Sequence, residues 1–200
     1  MIVLKDLTLL YDGETVLRRQ NMTLEDGARI ALMGPSGSGK TTLLRYLAGL
    51  LPAASGTGTG LPEKVACVFQ EPRLLPWRTG RENVNLVLGD RKTTLPRAEE
   101  WLAAVGLAGE GDKYPAQLSG GMQQRVNIAR ALALGGELLL LDEPFRALDE
   151  TRRGEIASLL DEKARGKTLV LATHDRAEAE ALGCRIWRYE ELVFRPEENF

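Results

Sequence analysis

An α/β fold built on a mostly parallel sheet is predicted by three observations. Short β-rich runs alternate along the chain with helical patterns, the order that places helices over the faces of a parallel sheet. Two of those runs, LLLL at residues 138–141 and TLVLA at 168–172, are apolar throughout, as strands covered on both faces must be. The run RIALM at residues 29–33 leads directly into a glycine-rich loop that opens a helix, the place in an α/β sheet where ligands bind.

Each element follows from its own pattern. The opening MIVLKDLTLLYDG alternates like a strand and lacks the basic head and long apolar run of a signal peptide. After RIALM and its loop, a helix begins near Lys40, with Leu43, Leu47 and Leu50 at helical spacing and Gly49 and Pro52 marking its end. PAASGTGTGLP, residues 52–62, reads as a turn-rich connector, and VACVF, residues 65–69, as another strand. From residue 71 to 134 the strand signal disappears, while PRAEEWLAAVGL predicts a helix with Pro96 in its first turn and Gly106 just past its end. IWRYEELVF, residues 186–194, predicts a closing edge hairpin. The expected organisation is one domain over residues 1–200, with a core of 1–70 and 135–200 and a helical subdomain inserted at about 71–134.

Composition narrows the function classes. The 200 residues, 44% of them hydrophobic, suffice for a buried core. Lys and Arg number 26 against 28 Asp and Glu, a net charge of -2 with the basic residues scattered, so neither a nucleic-acid stripe nor a polybasic membrane patch is present. No apolar run reaches the roughly 18 residues needed to cross a bilayer, so a membrane connection has to come through a partner. Cys67 and Cys184 lack a partner at C-x-x-C spacing and read as small buried hydrophobes in a reducing compartment.

The chemistry begins at GPSGSGKTT. Gly34, Pro35, Ser36, Gly37, Ser38, Gly39, Lys40 and Thr41 fit G-x-x-x-x-G-K-[ST] between a predicted strand and a predicted helix, and Thr42 follows. Glycines at this spacing let backbone N–H groups converge on phosphate oxygens at a helix N-terminus, Lys40 neutralises β/γ charge, and the Thr41 hydroxyl can ligate Mg²⁺. The segment is expected to bind a nucleoside triphosphate. The strand LLLLDEP then delivers Asp142 and Glu143 to the ligand edge of the sheet. Asp142 is expected to hold Mg²⁺ and Glu143 to polarise an attacking water; alone, the pair also reads as a helix-start signal.

Three further residues point the same way. His174, the one histidine of the chain, follows the buried strand TLVLA, with Asp175 as N-cap of RAEAEAL; it is expected to reach the γ-phosphate, although a lone histidine is also a common structural residue. Gln70 ends VACVF and can offer its amide oxygen to Mg²⁺ or to the water; taken alone it reads as a surface glutamine. In QLSGGMQQR, residues 117–125, Ser119 stands as N-cap before Gly120 and Gly121, and Met122, Val126, Ala129 and Ala133 share one helical face. That tip is a second anion site without a lysine or a Mg²⁺ ligand. Spacing alone does not separate it from an ordinary Ser-capped helix.

Taken in this order, GPSGSGKTT, Gln70, LSGGMQQR, LLLLDEP, RALDE and ATHD resemble the ATP-binding subunit of an ABC transporter over essentially the whole chain. The resemblance implies a P-loop NTPase (RecA-like) core, an antiparallel β part at the N-terminus and an inserted helical subdomain. It implies ATP and Mg²⁺ as cofactors and a head-to-tail homodimer in which Ser119, Gly120, Gly121 and Met122 cap the nucleotide held by the other copy. It further implies that Tyr11 stacks on adenine, that Asp149 communicates across the dimer, and that His174 contacts the γ-phosphate. An integral membrane permease, a solute-binding protein and a position on the cytoplasmic face of the membrane belong to the same expectation; nucleic acid does not. A soluble relative acting on nucleic acid or ribosomes is the alternative.

The segment VFQEPRLLPWRTGRENV, residues 68–84, resembles the nitrate, sulfonate and taurine importer branch, where Pro-Trp follows a Leu-Leu pair. In the family this region receives a helix of the membrane subunit, so Leu74, Leu75, Pro76 and Trp77 read either as an apolar docking surface or as core. Arg146 departs from the family pattern, in which a small residue precedes Ala-Leu-Asp, and places a bulky cation near the expected dimer seam. With no fused membrane segment, an importer subunit is expected; with no regulatory domain after the last strands, regulation through such a domain is not.

Overall fold

The computed structural model describes residues 1–197. In chain order the strands are β1 (Ile2–Tyr11), β2 (Glu14–Leu24), β3 (Arg29–Met33), β4 (Ser55–Thr59), β5 (Val65–Val68), β6 (Leu138–Asp142), β7 (Thr168–Thr173), β8 (Arg185–Glu190) and β9 (Val193–Pro196). The helices are α1 (Lys40–Leu47), α2 (Gly80–Asn85), α3 (Leu95–Ala104), α4 (Gly120–Leu134), α5 (Glu150–Lys163) and α6 (Arg176–Ala181). Two compact units divide them: one comprises Met1–Cys67, Gly136–Asp142 and Ala164–Phe200, the other Val68–Gly135 and Glu143–Lys163. Among the described residues no helix is long and apolar enough to cross a membrane.

The first unit contains the predicted parallel sheet. Its six strands run in the order β5-β6-β7-β3-β8-β9, with β6, β7, β3 and β8 parallel and β9 returning antiparallel along the edge. β6 and β7 are buried at every position, which is why their sequences show no polar alternation. A second sheet, β2-β1-β4, is antiparallel. It lays Leu4, Leu7, Leu9, Leu17 and Leu24 into the same core as Leu32 of β3 and Leu43, Leu44 and Leu47 of α1. The two sheets are also tied by hydrogen bonds. Gln20 of β2, 1% exposed, accepts from the Phe194 backbone N–H at 2.6 Å and donates Nε2 to the Phe194 carbonyl at 3.0 Å.

Two expectations are corrected in this unit. Residues 52–62 are not only a connector: β4 lies inside them and pairs antiparallel with β1, Leu4 opposite Gly58 and Val3 opposite Thr59. Its sequence, SGTGT, is nearly all exposed, so backbone pairing rather than apolar alternation makes it a strand. Cys67 and Cys184 are half-buried rather than fully buried. Burial still pushes the Cys67 thiol up to about 11 and the Cys184 thiol up to about 12, the latter against the opposing charge of Arg29. Since the thiolate is the nucleophile, the reactive fraction of Cys67 at pH 8 is about 10⁻³. Both thiols are expected to react slowly with an aromatic disulfide reagent at pH 8 and promptly in guanidinium; a rapid stoichiometric reaction of the folded protein would contradict this.

The second unit is helical, and besides residues 68–135 it takes in Glu143–Lys163 with α5. α3 carries its proline in the first turn, and Gly106 beyond it takes φ 72°. α2 is held by a capping box: Thr79 Oγ1 accepts from the Glu82 N–H at 3.3 Å while the Glu82 carboxylate accepts from the Thr79 N–H at 2.8 Å. α4 is buried more widely than one apolar face, with Gln124, Asn127 and Ile128 covered as well as Val126 and Ala129.

Candidate functional site

In the first unit β3 delivers the chain into the glycine loop, and Gly39, at φ 81°, starts α1. A Cβ on Gly34 would stand 2.7 Å from Tyr189 Cβ and 2.8 Å from Ser38 Oγ, so the loop closes on β8 only because this residue has no side chain. Pro35, Ser36 and Gly37 face solvent, while Ser38 is buried. Lys40 arches back over the loop, donating to the Gly34 carbonyl at 2.7 Å, the Pro35 carbonyl at 2.9 Å and Ser38 Oγ at 3.3 Å. The ammonium therefore stands where the loop's peptide groups and the N-terminal dipole of α1 converge, the arrangement that attracts phosphate oxygens. Thr42, the third residue of α1, is 5% exposed.

Beside the lysine, Thr41 Oγ1 donates to Asp142 Oδ2 at 2.8 Å, and Asp142 is 3% exposed. A hydroxyl and a carboxylate oxygen in contact are the hard donors that Mg²⁺ takes when it keeps water and phosphate as its other ligands, so these residues fit that ion. His174 is exposed at the end of β7. With Gly34, Pro35, Arg188, Tyr189 and Glu190 it lines a cavity of about 310 Å³. The backbone holding it is fixed by two residues that sequence reasoning missed. The Thr173 hydroxyl donates to the buried Glu178 carboxylate at 2.5 Å and accepts from the Asp175 N–H at 3.1 Å. A Thr and a Glu flanking a helix start carry no signal beyond ordinary capping. Asp175 does cap α6, accepting from the Ala177 N–H at 2.9 Å.

Tyr11 stands at the end of β1, 52% exposed, before a tight turn in which Asp12 and Gly13 take φ 49° and 84°. The following strand packs against the phosphate loop through Val16, so the aromatic ring is carried on a hairpin that supports the loop.

The second unit brings together Gln70 and Glu143, Nε2 to Oε2 at 3.1 Å. Glu143 has φ 45°, a left-handed backbone that is uncommon for a side-chain-bearing residue and is often found where geometry serves function. Arg146 reaches the same carboxylate oxygen at 3.9 Å while remaining 62% exposed. At the head of α4, Ser119 Oγ accepts from the Met122 N–H at 3.3 Å, and Ser119 and Gly120 are exposed. The first turn of that helix is thus open to solvent at Ser119 and Gly120, with Met122 half-buried behind them. A Cβ on Gly121 would lie 2.6 Å from the Ala147 carbonyl, so the segment RALDE presses against the helix tip. Asp149, exposed, caps the next helix by accepting from the Arg152 N–H at 2.9 Å. The Leu-Leu-Pro-Trp segment divides: Leu74 and Leu75 are half-buried and Trp77 is 70% exposed.

Residues 17–146 match the family model described as ABC transporter. The chain is 46% identical over 189 residues to an aliphatic sulfonates import ATP-binding protein of Rhodococcus jostii, covering 92% of this chain and 77% of that protein. It is 43% identical over 194 residues to a taurine import ATP-binding protein of Escherichia coli O157:H7, covering 90% and 75% respectively. Among solved structures it superposes on MJ0796, a dimeric bacterial ABC transporter cassette, with a TM-score of 0.89 at 33% identity and full coverage of both chains. A dimeric post-hydrolysis form of the same cassette, bound to ADP and Pi, gives 0.88 at 32% identity, again over the whole of both chains.

Proposed function

Because the chain belongs to the ABC transporter family, we propose that it is one cassette of a head-to-tail homodimer that hydrolyses Mg-ATP at the cytoplasmic face of the membrane and drives a separate permease, with small sulfonates as the imported solutes. The observation that carries this reading is the lysine-crowned phosphate loop whose neighbouring Thr41–Asp142 pair offers a hydroxyl and a carboxylate.

The roles follow from charge and reach. Lys40 and the N-terminal dipole of α1 bind the triphosphate, whose negative charge would otherwise oppose attack at phosphorus. Thr41, Asp142 and Gln70 would hold Mg²⁺, which supplies charge neutralisation on the phosphates when bound. Glu143 accepts the proton of the attacking water, with Gln70 hydrogen-bonded to one of its oxygens to fix its orientation. His174 meets the γ-phosphate from the cavity it shares with Gly34 and Pro35. Tyr11 stacks on adenine. Ser119, Gly120, Gly121 and Met122 form the cap that each copy lends to its twin, the first-turn N–H groups of α4 completing the phosphate site. Asp149, beside that cap, carries the contact across the seam.

The exposed Trp77, with Pro76 and the half-buried leucines, supports docking of a permease segment on this surface. The sulfonate assignment draws on the named relatives, and the solute-binding protein belongs to the same importer arrangement. Tagged chain recovered from detergent-solubilised membranes of its own cell is expected to bring down an integral membrane protein, and Trp77→Glu to reduce that recovery about tenfold or more, the scale of a buried aromatic anchor. Recovery of ribosomes or nucleic acid in its place would overturn the assignment.

A further inference from the structure

α4 does more than present its tip. Three polar side chains at i, i+3 and i+6, Gln124, Asn127 and Arg130, lie along one of its faces. Gln124 and Asn127 are 2% and 0% exposed. Gln124 Nε2 donates to the carbonyl of Pro144, the residue after Glu143, at 3.0 Å. Asn127 Nδ2 donates to Gln124 Oε1 at 3.4 Å and to the carbonyl of Phe69, the residue before Gln70, at 3.0 Å. Arg130 Nη2 donates to Asn127 Oδ1 at 3.2 Å and to the Pro72 carbonyl at 2.7 Å, and its Nη1 to the Arg73 carbonyl at 3.2 Å. The acceptors at the two ends fix the direction of the middle amide: turned over, Asn127 would set its oxygen against the Phe69 carbonyl and its N–H₂ against the guanidinium.

The result is a continuous hydrogen-bonded chain of side chains, from the loop that carries Glu143, through the loop that carries Gln70, to the backbone that leads to Trp77. Packing alone does not call for it. Apolar side chains would fill a buried helix face without the cost of desolvating two amides and a guanidinium, and burial pushes the Arg130 guanidinium below its usual range. What a polar chain supplies, and an apolar one does not, is fixed separations between particular backbone atoms.

We propose that Gln124, Asn127 and Arg130 are positioning residues that set the Gln70–Glu143 pair in register and link it to the segment of residues 72–77. The inference rests on the ATPase reading above and adds to it how the base and its partner are placed. None of the three touches the reacting atoms.

The test is steady-state hydrolysis of Mg-ATP by the full chain. Gln124→Met, which keeps the length and burial of the side chain but removes its donor, is expected to lower kcat about 10- to 100-fold through misplacement of the base with KM for ATP unchanged. In the Glu143→Gln background, where no base remains to be placed, the same substitution is expected to leave the residual single-turnover rate unchanged. Arg130→Lys, which cannot fork between Pro72 and Asn127, is expected to lower kcat several-fold with the same insensitivity in the Glu143→Gln background, and it carries the test should Gln124→Met fail to fold. Equal losses in both backgrounds, or a raised KM with kcat intact, would overturn the relay while leaving the ATPase assignment standing. A wild-type chain that binds no ATP and cleaves none would overturn the assignment and the relay together.

Discussion

Glu143→Gln is expected to lower ATP turnover by about 10²–10⁴-fold, the range that a positioned general base contributes, while leaving ATP bound. The substitution is nearly isosteric. Its amide oxygen can still accept from Gln70, which donates to the native carboxylate at 3.1 Å. It removes the proton acceptor and the charge that faces Arg146 at 3.9 Å. The phosphate loop, Lys40 and the Thr41–Asp142 pair are untouched, so nucleotide enters and is not cleaved. With Mg-ATP the variant should therefore accumulate as a dimer on size-exclusion chromatography with light scattering. A monomer at high protein concentration, together with wild-type turnover, would falsify the role given to Glu143.

Ser119→Trp carries the second large effect. The native hydroxyl caps α4 at 3.3 Å from the Met122 N–H, and losing such a cap costs about 1 kcal/mol, small beside the roughly 5–15 kcal/mol that holds a domain together. The chain should fold. An indole over the first-turn N–H groups denies them to a phosphate, and removal of one such donor set costs about 10²–10³-fold in rate. ATP should still bind, because Lys40 and its loop belong to the other face of the sandwich. Mixing the variant with Lys40→Ala protein separates a shared site from a single-chain one. In the mixed dimer one sandwich keeps both Lys40 and Ser119, so activity absent from either variant alone should return; no recovery would count against the head-to-tail arrangement.

What the sequence made legible were features set by local pattern. The phosphate loop is written in glycine spacing, the cap at Ser119 in a hydroxyl before two glycines, and β6 and β7 in runs with no polar residue. Features made by long-range pairing were not. β4 has no apolar alternation because its partner is the backbone of β1. The contact between Gln70 and Glu143 joins residues 73 apart, and Thr173 with Glu178 looks like any helix start. The relay on α4 was hidden for a different reason: a polar residue every third position reads as the solvated side of an amphipathic helix until the helix is seen to be covered on that side too.

The floor of the phosphate loop has a consequence for biosynthesis. Gly34 rests against Tyr189, whose hydroxyl donates to the Val16 carbonyl at 3.0 Å, and Gln20 is clasped by the backbone of Phe194. β3 itself lies between β7 and β8. The glycine loop is thus completed by strands that are synthesised about 150 residues after it, and such distant pairings form slowly. Nascent chains released before Tyr189 would have the glycines and the lysine yet no platform to shape them, so competence to grip ATP should arise only once β8 has been made.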